Sequence, residues 1–252
     1  MKISIITVCL NASCELEKTL QSIEGQTCKD FELIVFDGNS NDDTPQILEK
    51  YKNLISVLST KKDKGIYNAM NNAIQKANGD YIIFLNAGDT FYSNDVIEKT
   101  IEEIKKLNYP KIVFGYANYI DLTNKSETIH KFENFYNKDF YYDDNICHQA
   151  IFYKKEVFKN DKYDESFKLY ADWDFNARCA KIKKMHSEKL NFCVCNYYIG
   201  GLSTQEKNCK ITKKEKRRIK IKYFKKEYFI KNGINRFFEK QFHSIYKMFQ
   251  KG

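Results

Sequence analysis

Short apolar runs alternate with amphipathic stretches along the first 90 residues. Four runs of β-forming residues predict strands: Lys2–Cys9, Phe31–Phe36, Ile55–Leu58 and Tyr81–Leu85. Between them, apolar residues three or four positions apart predict helices: Cys14–Ile23, a stretch ending near Tyr51, and Gly65–Lys76. Such close alternation predicts right-handed βαβ units, and therefore an α/β, doubly wound, mostly parallel sheet.

The pattern is less regular after residue 90. It predicts helices over Asp95–Leu107 and Asp172–Lys183, and strands over Lys111–Tyr119, Ala150–Tyr153 and Leu190–Tyr198. The segment Asp121–Asp144 is polar and aromatic, and is predicted to be a ribbon or loop. Gly200 and Gly201 end the last strand, and a helical pattern begins at Thr204. We expect one α/β domain over 1–204, with halves 1–120 and 121–204, followed by a helical tail over 205–252.

Charge separates the tail from the body. Of the net charge of +9, the tail from Gln205 to Gly252 carries 16 Lys and Arg against 4 Asp and Glu, which gives +12. The remainder has 26 against 29, which gives −3. A basic helix with interleaved aromatic residues is typical of contact with an anionic membrane or with nucleic acid. A plain solvated helix and a dimer contact are alternatives.

The eight cysteines and the apolar runs point to an intracellular, non-spanning protein. No C-x-x-C pair or zinc spacing occurs, and most cysteines fall inside apolar strand or helix patterns, as reduced structural thiols do. No apolar run approaches the ~18 residues of a spanning helix. We therefore expect a cytoplasmic protein without a transmembrane segment.

Carboxylates follow three consecutive predicted strands. Asp37, Asp63 and Asp89 come after the second, third and fourth strands, and parallel sheets bind ligands beyond the carboxyl ends of their strands. Each could instead only cap a helix or form a turn. Because no Gly-rich phosphate loop is present, carboxylates and amides here favour a base-and-ribose pocket with a metal-held diphosphate.

Several motifs together resemble family 2 glycosyltransferases of the GT-A (Rossmann-like) fold, in the bacterial branch that extends exopolysaccharide, capsule or O-antigen units. They occur in the family's order from Lys2 to about Thr204: ISIITVCLNA, QTCKDFELIVFDGNSNDDT, KDKGIYNAMNNAI, NGDYIIFLNAGD, CHQAIFY, YDESFKLYADWDFNARCA and, more weakly, GGLST. Each motif is weak alone, but the set is specific.

The resemblance implies a nucleotide-sugar site in the first half of the chain. It places Thr7, Asn11, Asp37 and Asp63 at the nucleotide, and Gly65 where the backbone approaches it closely. The family often has two adjacent carboxylates after strand two, whereas this chain has Gly38 in the second place.

The metal motif of the family, Asp-x-Asp, is reduced here to Asn86-Ala87-Gly88-Asp89. The resemblance implies that Asp89 binds Mg²⁺ or Mn²⁺ and that Asn86 contacts ribose or phosphate. With one anionic ligand we expect weak ion binding, completed by diphosphate oxygens and water.

The resemblance also implies a catalytic base, Asp172, in a short acidic motif at the start of a helix. Asp172 could instead be only the helix cap, and Asp174 is expected to be structural. His148 and Gln149 are expected near the donor sugar or acceptor, with a plain structural role for the histidine as the alternative. Trp173 could stack on a sugar or pack in the core.

The function implied is an inverting, metal-dependent transfer of a hexose or N-acetylhexosamine from a UDP-sugar to a hydroxyl of a lipid-linked glycan. The protein would then work at the inner face of the cell membrane, held peripherally by its tail, and a homodimer is possible. An alternative is a non-catalytic nucleic-acid-binding or adaptor protein on a degenerate scaffold, although a nucleic-acid partner is the less favoured. A sugar nucleotidyltransferase is disfavoured because the N-terminal phosphate loop is missing.

Overall fold

The first half of the chain forms the parallel part of a sheet. In the computed structural model, which describes residues 1–132, 140–201 and 208–231, this part has four strands: β1 (Ile3–Cys9), β2 (Phe31–Asp37), β3 (Val57–Thr60) and β4 (Tyr81–Phe84). They pair in parallel in the order β3-β2-β1-β4. The helices between them are α1 (Ser13–Glu24), α2 (Thr44–Lys50) and α3 (Ile66–Ile74). The predicted α/β sheet is confirmed.

The central strands are buried on both faces because helices cover the sheet on two sides. All seven residues of β1 and all four of β4 are buried. This explains why both strands are almost wholly apolar, with Ser4 and Thr7 of β1 as the exceptions, and show no regular alternation of apolar and polar residues.

The second half extends the same sheet with mixed strand directions. Its elements are β5 (Thr90–Phe91), α4 (Val96–Lys106), β6 (Ile112–Asp121), β7 (Ser126–His130), α5 (Phe140–Asp143), β8 (Ile151–Lys154), α6 (Ala171–Ala177), β9 (Ser187–Tyr198) and α7 (Cys209–Tyr223). The order continues β4-β8-β6-β9-β5, and β7 pairs with β6. β8 is antiparallel to both neighbours, whereas β6 and β9 run parallel.

The region Asp121–Asp144, predicted as a ribbon or loop, begins as a ribbon, but near its end Phe140–Asp143 form the short helix α5. β6 and β7 form an antiparallel hairpin from Ala117 to His130, and residues 133–139 lie outside the described part. Among the described helices, none is long and apolar enough to cross a membrane. All eight cysteines are free thiols.

The first part of the predicted tail packs on the body. Ile219, Tyr223 and Phe224 are buried, whereas Phe229 and Ile230 are 57% and 50% exposed. The further tail aromatics of the predicted helix, Phe237, Phe238, Phe242, Tyr246 and Phe249, lie outside the described residues.

Candidate functional site

Asp37 ends β2 and is held in place by the turn that follows. Its carboxylate accepts hydrogen bonds from the backbone N–H of Ser40 at 3.0 and 3.2 Å and from the Ser40 hydroxyl. The Cys9 thiol donates to it at 3.8 Å. Burial, and next the charge of Asp37, raise the pKa of Cys9 well above its usual range, so this thiol stays protonated beside the carboxylate.

Asn11, just after the end of β1, stabilises the same turn by hydrogen bonds. Its backbone has a φ of 49°, a left-handed conformation that asparagine tolerates better than most residues. Its side-chain oxygen accepts the N–H of Asn41 at 2.9 Å, and its own N–H donates to the Ser40 hydroxyl at 2.8 Å. The exposed residue therefore shapes the edge at which the sequence predicts a nucleotide.

The loop after β3 approaches this turn. A β-carbon at Gly38 would stand 3.0 Å from Oδ2 of Asp63 and 3.3 Å from Leu10, so the Asp63 carboxylate lies where a side chain at position 38 would go. Asp63 also accepts the N–H of Gly65 at 2.8 Å. Gly65 has a φ of 125° and a β-carbon there would meet no protein atom, so the backbone angle, not packing within the chain, requires glycine.

Thr7 lies inside the sheet. It is fully buried and its hydroxyl donates to the carbonyl of Leu85 at 2.7 Å. The prediction of a nucleotide contact is therefore corrected for this side chain, because its one hydroxyl supports the end of β4 and does not reach the surface.

The turn after β4 is fixed by Thr19 of α1. The Thr19 hydroxyl lies 2.7 Å from the carbonyl of Asp89 and 3.3 Å from that of Asn86, and the N–H of Gly88 donates to it at 3.0 Å. One buried hydroxyl thus holds both ends of the Asn86–Asp89 turn.

Asp89 is a buried carboxylate with neutral donors. Gln149 Nε2 donates to Oδ2 at 2.6 Å, and the N–H of Tyr198 lies 3.4 Å from Oδ1. Burial raises the pKa of Asp89 to about 6, and the Gln149 hydrogen bond only partly opposes that effect. Keeping the Asp89 carboxylate charged therefore costs the folded state free energy, and a nearby cation would offset that cost.

His148 and Gln149, adjacent in sequence, extend from Asp89 toward α6. His148 Nε2 lies 3.1 Å from Asn86 Nδ2, and its Nδ1 lies 3.5 Å from Oδ2 of Asp172. Since the amide nitrogen must donate, Nε2 accepts and the ring proton is assigned to Nδ1, facing Asp172. The pair thus lies between the two carboxylates, with Gln149 at Asp89 and His148 at Asp172.

Asp172 lies in the first turn of α6 and is 9% exposed. The Tyr67 hydroxyl is 3.1 Å from its Oδ1, and Asn145 Nδ2 donates to Oδ2 at 2.9 Å. Burial raises the pKa of Tyr67 well above its usual range, so Tyr67 remains a donor. The N-cap of α6 is Tyr170. The alternative that Asp172 is only the helix cap is therefore wrong.

Asp174 and Trp173 are structural. Asp174 is fully buried, and Oδ1 accepts from Lys222 Nζ at 2.7 Å and the Tyr223 hydroxyl at 3.0 Å, which confirms its structural prediction. Trp173 is 2% exposed and its indole N–H donates to the carbonyl of Tyr141 at 3.0 Å. It packs in the core, and the stacking alternative is wrong because no face of the ring is open to a sugar.

The donor set around Asp89 fits a hard divalent cation. Asn86 Oδ1 and Gln149 Oε1 are buried oxygens without a hydrogen-bond partner, and a carboxylate with amide oxygens suits Mg²⁺ or Mn²⁺. In the parts of the chain that the structure describes, no three His, Cys, Asp or Glu side chains cluster as a metal site. Further ligands would therefore have to be water and substrate phosphate.

Sequence reasoning did not identify Tyr67, Asn145 and Thr19 as site residues. Tyr67 and Asn145 contact a carboxylate that is more than 25 positions away, at separations of 105 and 27. Tyr67 stands within the quoted motif KDKGIYNAMNNAI, but the helical periodicity of that segment does not single it out. No local pattern distinguishes these residues from core positions.

Comparison with known proteins identifies the family. The sequence model of "Glycosyl transferase family 2" matches residues 4–168. A "PGL/p-HBAD biosynthesis glycosyltransferase" of Mycobacterium bovis is 33% identical over 205 residues, which cover 79% of this chain and 78% of the relative. The Escherichia coli "UDP-Glc:alpha-D-GlcNAc-diphosphoundecaprenol beta-1,3-glucosyltransferase WfaP" is 34% identical over 118 residues, or 46% of this chain and 45% of WfaP.

A solved structure supports the fold. Residues 1–349 of Staphylococcus aureus TarS, in complex with UDP-GlcNAc, align with a TM-score of 0.66 at 18% identity, covering 80% of this chain and 59% of the TarS chain. At that identity the likeness concerns the fold alone.

Proposed function

The chain belongs to glycosyl transferase family 2 and is a glycosyltransferase, and from this premise we propose an inverting, metal-assisted transfer of a hexose or N-acetylhexosamine from a UDP-sugar to a hydroxyl of a lipid-linked glycan. The observation that carries the proposal is the line of polar side chains from Asp89 through Gln149 and His148 to Asp172. It provides one carboxylate for the donor diphosphate and one for the acceptor hydroxyl.

The nucleotide would bind at the edge formed by the ends of β1, β2 and the loop after β3. There Asp37, Asn11 and Asp63 border one turn, and the absence of a side chain at Gly38 leaves Asp63 as the second carboxylate. Carboxylates accept hydrogen bonds from the N–H of a base or the hydroxyls of ribose. UDP is the favoured nucleotide because UDP-Glc is named for WfaP and UDP-GlcNAc is bound to TarS.

Asp89, with the oxygens of Asn86 and Gln149, would hold Mg²⁺ or Mn²⁺. Bound there, the ion would balance the charge that develops on the departing diphosphate. The raised pKa of Asp89, about 6, supports this assignment, because a buried carboxylate with neutral donors gains most from a cation.

Asp172 would act as the base. Its carboxylate takes the proton of the acceptor hydroxyl while that oxygen bonds the anomeric carbon and the bond from that carbon to the diphosphate oxygen breaks. Tyr67 and Asn145 each donate to one carboxylate oxygen, which fixes the orientation of the group. Attack from the face opposite the diphosphate inverts the anomeric centre.

The relatives and the tail support the proposed acceptor and location. The name of WfaP specifies a diphosphoundecaprenol-linked sugar, which is a membrane-borne acceptor. Phe229 and Ile230 are exposed beside Lys225, Lys226 and Lys231, a combination that suits the surface of an anionic membrane. We therefore place the protein peripherally at the inner face of the cell membrane.

Calorimetric titration with UDP and with GDP, each with and without Mn²⁺, tests the donor site. We expect UDP to bind, more tightly with Mn²⁺, and GDP to bind weakly. Turnover with a panel of UDP-sugars and undecaprenyl-diphosphate-linked acceptors then identifies the sugar. A folded protein that binds neither nucleotide, with or without the ion, would refute the proposed donor.

A further inference from the structure

One acidic side chain in the basic tail is buried. Eight of the fifteen residues of α7 are Lys or Arg, and Glu215 is its only acid. Glu215 is 6% exposed, although a solvated basic helix would expose an acid at any position. Its partners therefore have to be sought in the body of the protein.

Glu215 accepts hydrogen bonds from three consecutive backbone amides that lead into α6. Its Oε1 accepts the N–H of Lys168 at 2.7 Å, and its Oε2 accepts those of Leu169 and Tyr170 at 3.0 and 3.1 Å. A carboxylate that accepts from adjacent amides makes charge-assisted hydrogen bonds, which are stronger than neutral ones. The segment 168–170 is thereby fixed two residues before Asp172.

A hydrogen-bond path connects this segment to Asp172. The carbonyl of Leu169 accepts from the Tyr67 hydroxyl at 2.7 Å, and the same hydroxyl lies 3.1 Å from Oδ1 of Asp172. A hydroxyl has one proton to donate, so the Leu169 carbonyl and Asp172 compete for it. The Leu169 carbonyl shares its peptide group with the Tyr170 N–H, which donates to Glu215, so the position in which Glu215 holds that peptide sets the balance.

We propose that Glu215 is a positioning residue for the transfer reaction, which fixes residues 168–170 so that Asp172 and Tyr67 keep the arrangement needed to accept the proton of the acceptor hydroxyl. This inference rests on the proposed function, in which Asp172 is the base. It also gives the tail a part in the reaction that is separate from any contact with a membrane.

Glu215 can be tested without detaching α7. Lys222 and Tyr223 bind Asp174, and the Arg218 guanidinium lies 4.0 Å from the centre of the Phe167 ring. These contacts keep the helix docked when Glu215 is changed. A purely structural role would then lower stability and leave turnover unchanged.

The first variant is Glu215→Gln in the full chain. We expect kcat for transfer to fall at least about tenfold, with UDP affinity unchanged within about twofold. Hydrogen exchange of the amides of 168–170 should become faster. The matched control, Glu227→Gln, changes an acid of the same tail that pairs with Lys181 at 3.4 Å, and it should keep the wild-type kcat.

The second variant, Tyr67→Phe, tests the path. If Glu215 acts through Leu169 and Tyr67, the two effects on kcat are not additive, and the double variant is about as slow as the slower single variant. If the fold-reductions of kcat in the two single variants multiply in the double variant, Glu215 does not act through Leu169 and Tyr67. If Glu215→Gln keeps the wild-type kcat although hydrogen exchange at 168–170 is faster, the positioning role is overturned. Absence of transfer by the wild-type protein would instead refute the proposed function, whatever the amides show.

Discussion

Replacing Asp89 by asparagine should stabilise the protein while removing its activity. Asp89 is 8% exposed, and burial raises its pKa from 3.8 to about 6. One pKa unit corresponds to about 1.4 kcal/mol, so above pH 6 the charged group costs the folded state about 3 kcal/mol. The carboxamide carries no such cost and its oxygen can still accept from Gln149.

The stabilisation by Asp89→Asn should depend on pH. Because the folded state holds the Asp89 proton more tightly than the unfolded state, the cost is complete above the folded pKa of about 6. It declines as the pH falls toward 3.8 and disappears below that value. Asp89→Asn should therefore exceed the wild type by about 2 kcal/mol at about pH 7.5, after allowance for a weaker hydrogen bond to Gln149. At about pH 5 the cost of the charged group has fallen to about 1.6 kcal/mol, so with the same allowance the difference should be only about 0.6 kcal/mol.

Urea unfolding of the two proteins at both pH values, without nucleotide or metal, measures this difference. Calorimetry with UDP and Mn²⁺ completes the assay, because the variant should lose the effect of the ion on UDP affinity. A variant less stable than wild type at pH 7.5, or a difference that does not change with pH, would refute the argument from burial. Undiminished Mn²⁺ dependence would remove Asp89 as the metal ligand.

The other predictions concern single contacts. Asp172→Asn should leave UDP binding nearly intact and lower transfer by about two to four orders of magnitude; near-wild-type transfer would exclude Asp172 as the base. Gly38→Ala places a methyl group 3.0 Å from Asp63 Oδ2 and should weaken UDP binding about tenfold in calorimetry, with little change in thermal stability. Thr19→Val should cost about 1–3 kcal/mol in urea unfolding because the hydroxyl holds the turn before Asp89. Thr100→Val is its control: that hydroxyl is buried without a partner, so the change should be neutral or stabilising.

The sequence predicts the parallel half of the fold well because its signals are local. β1 and β4 are buried throughout, are apolar except for Ser4 and Thr7, and fall within a residue or two of their predicted ends. In the second half most elements are predicted too, but β5, α5 and the pairing of the strands are not. That β8 lies antiparallel between β4 and β6 depends on how distant faces pack, which strand periodicity does not encode.

The sequence likewise identifies some residues of the candidate site and not others. Asp37 stands out because it directly follows a predicted strand, Asp89 because it lies in the turn after one, and Asp172 because a family motif marks it. Glu215 carried no signal, since among the basic residues of α7 it looks like one more surface charge. Trp173 was ambiguous for a similar reason: a lone tryptophan beside a reactive carboxylate suits a sugar platform as well as a core, and only its 2% exposure decides.

The place of α7 in the chain has a consequence for biosynthesis. A nascent polypeptide leaves the ribosome from its N-terminus, so the strands β1 to β9 emerge before α7 does. Until α7 follows, the amides of 168–170 lack the Glu215 carboxylate, and Asp174 lacks Lys222 and Tyr223. A chain stalled or cut between β9 and α7 would therefore contain every strand of the sheet, but the helix that carries Asp172 would lack its contacts with α7 and keep only those with the body, such as Trp173 with Tyr141.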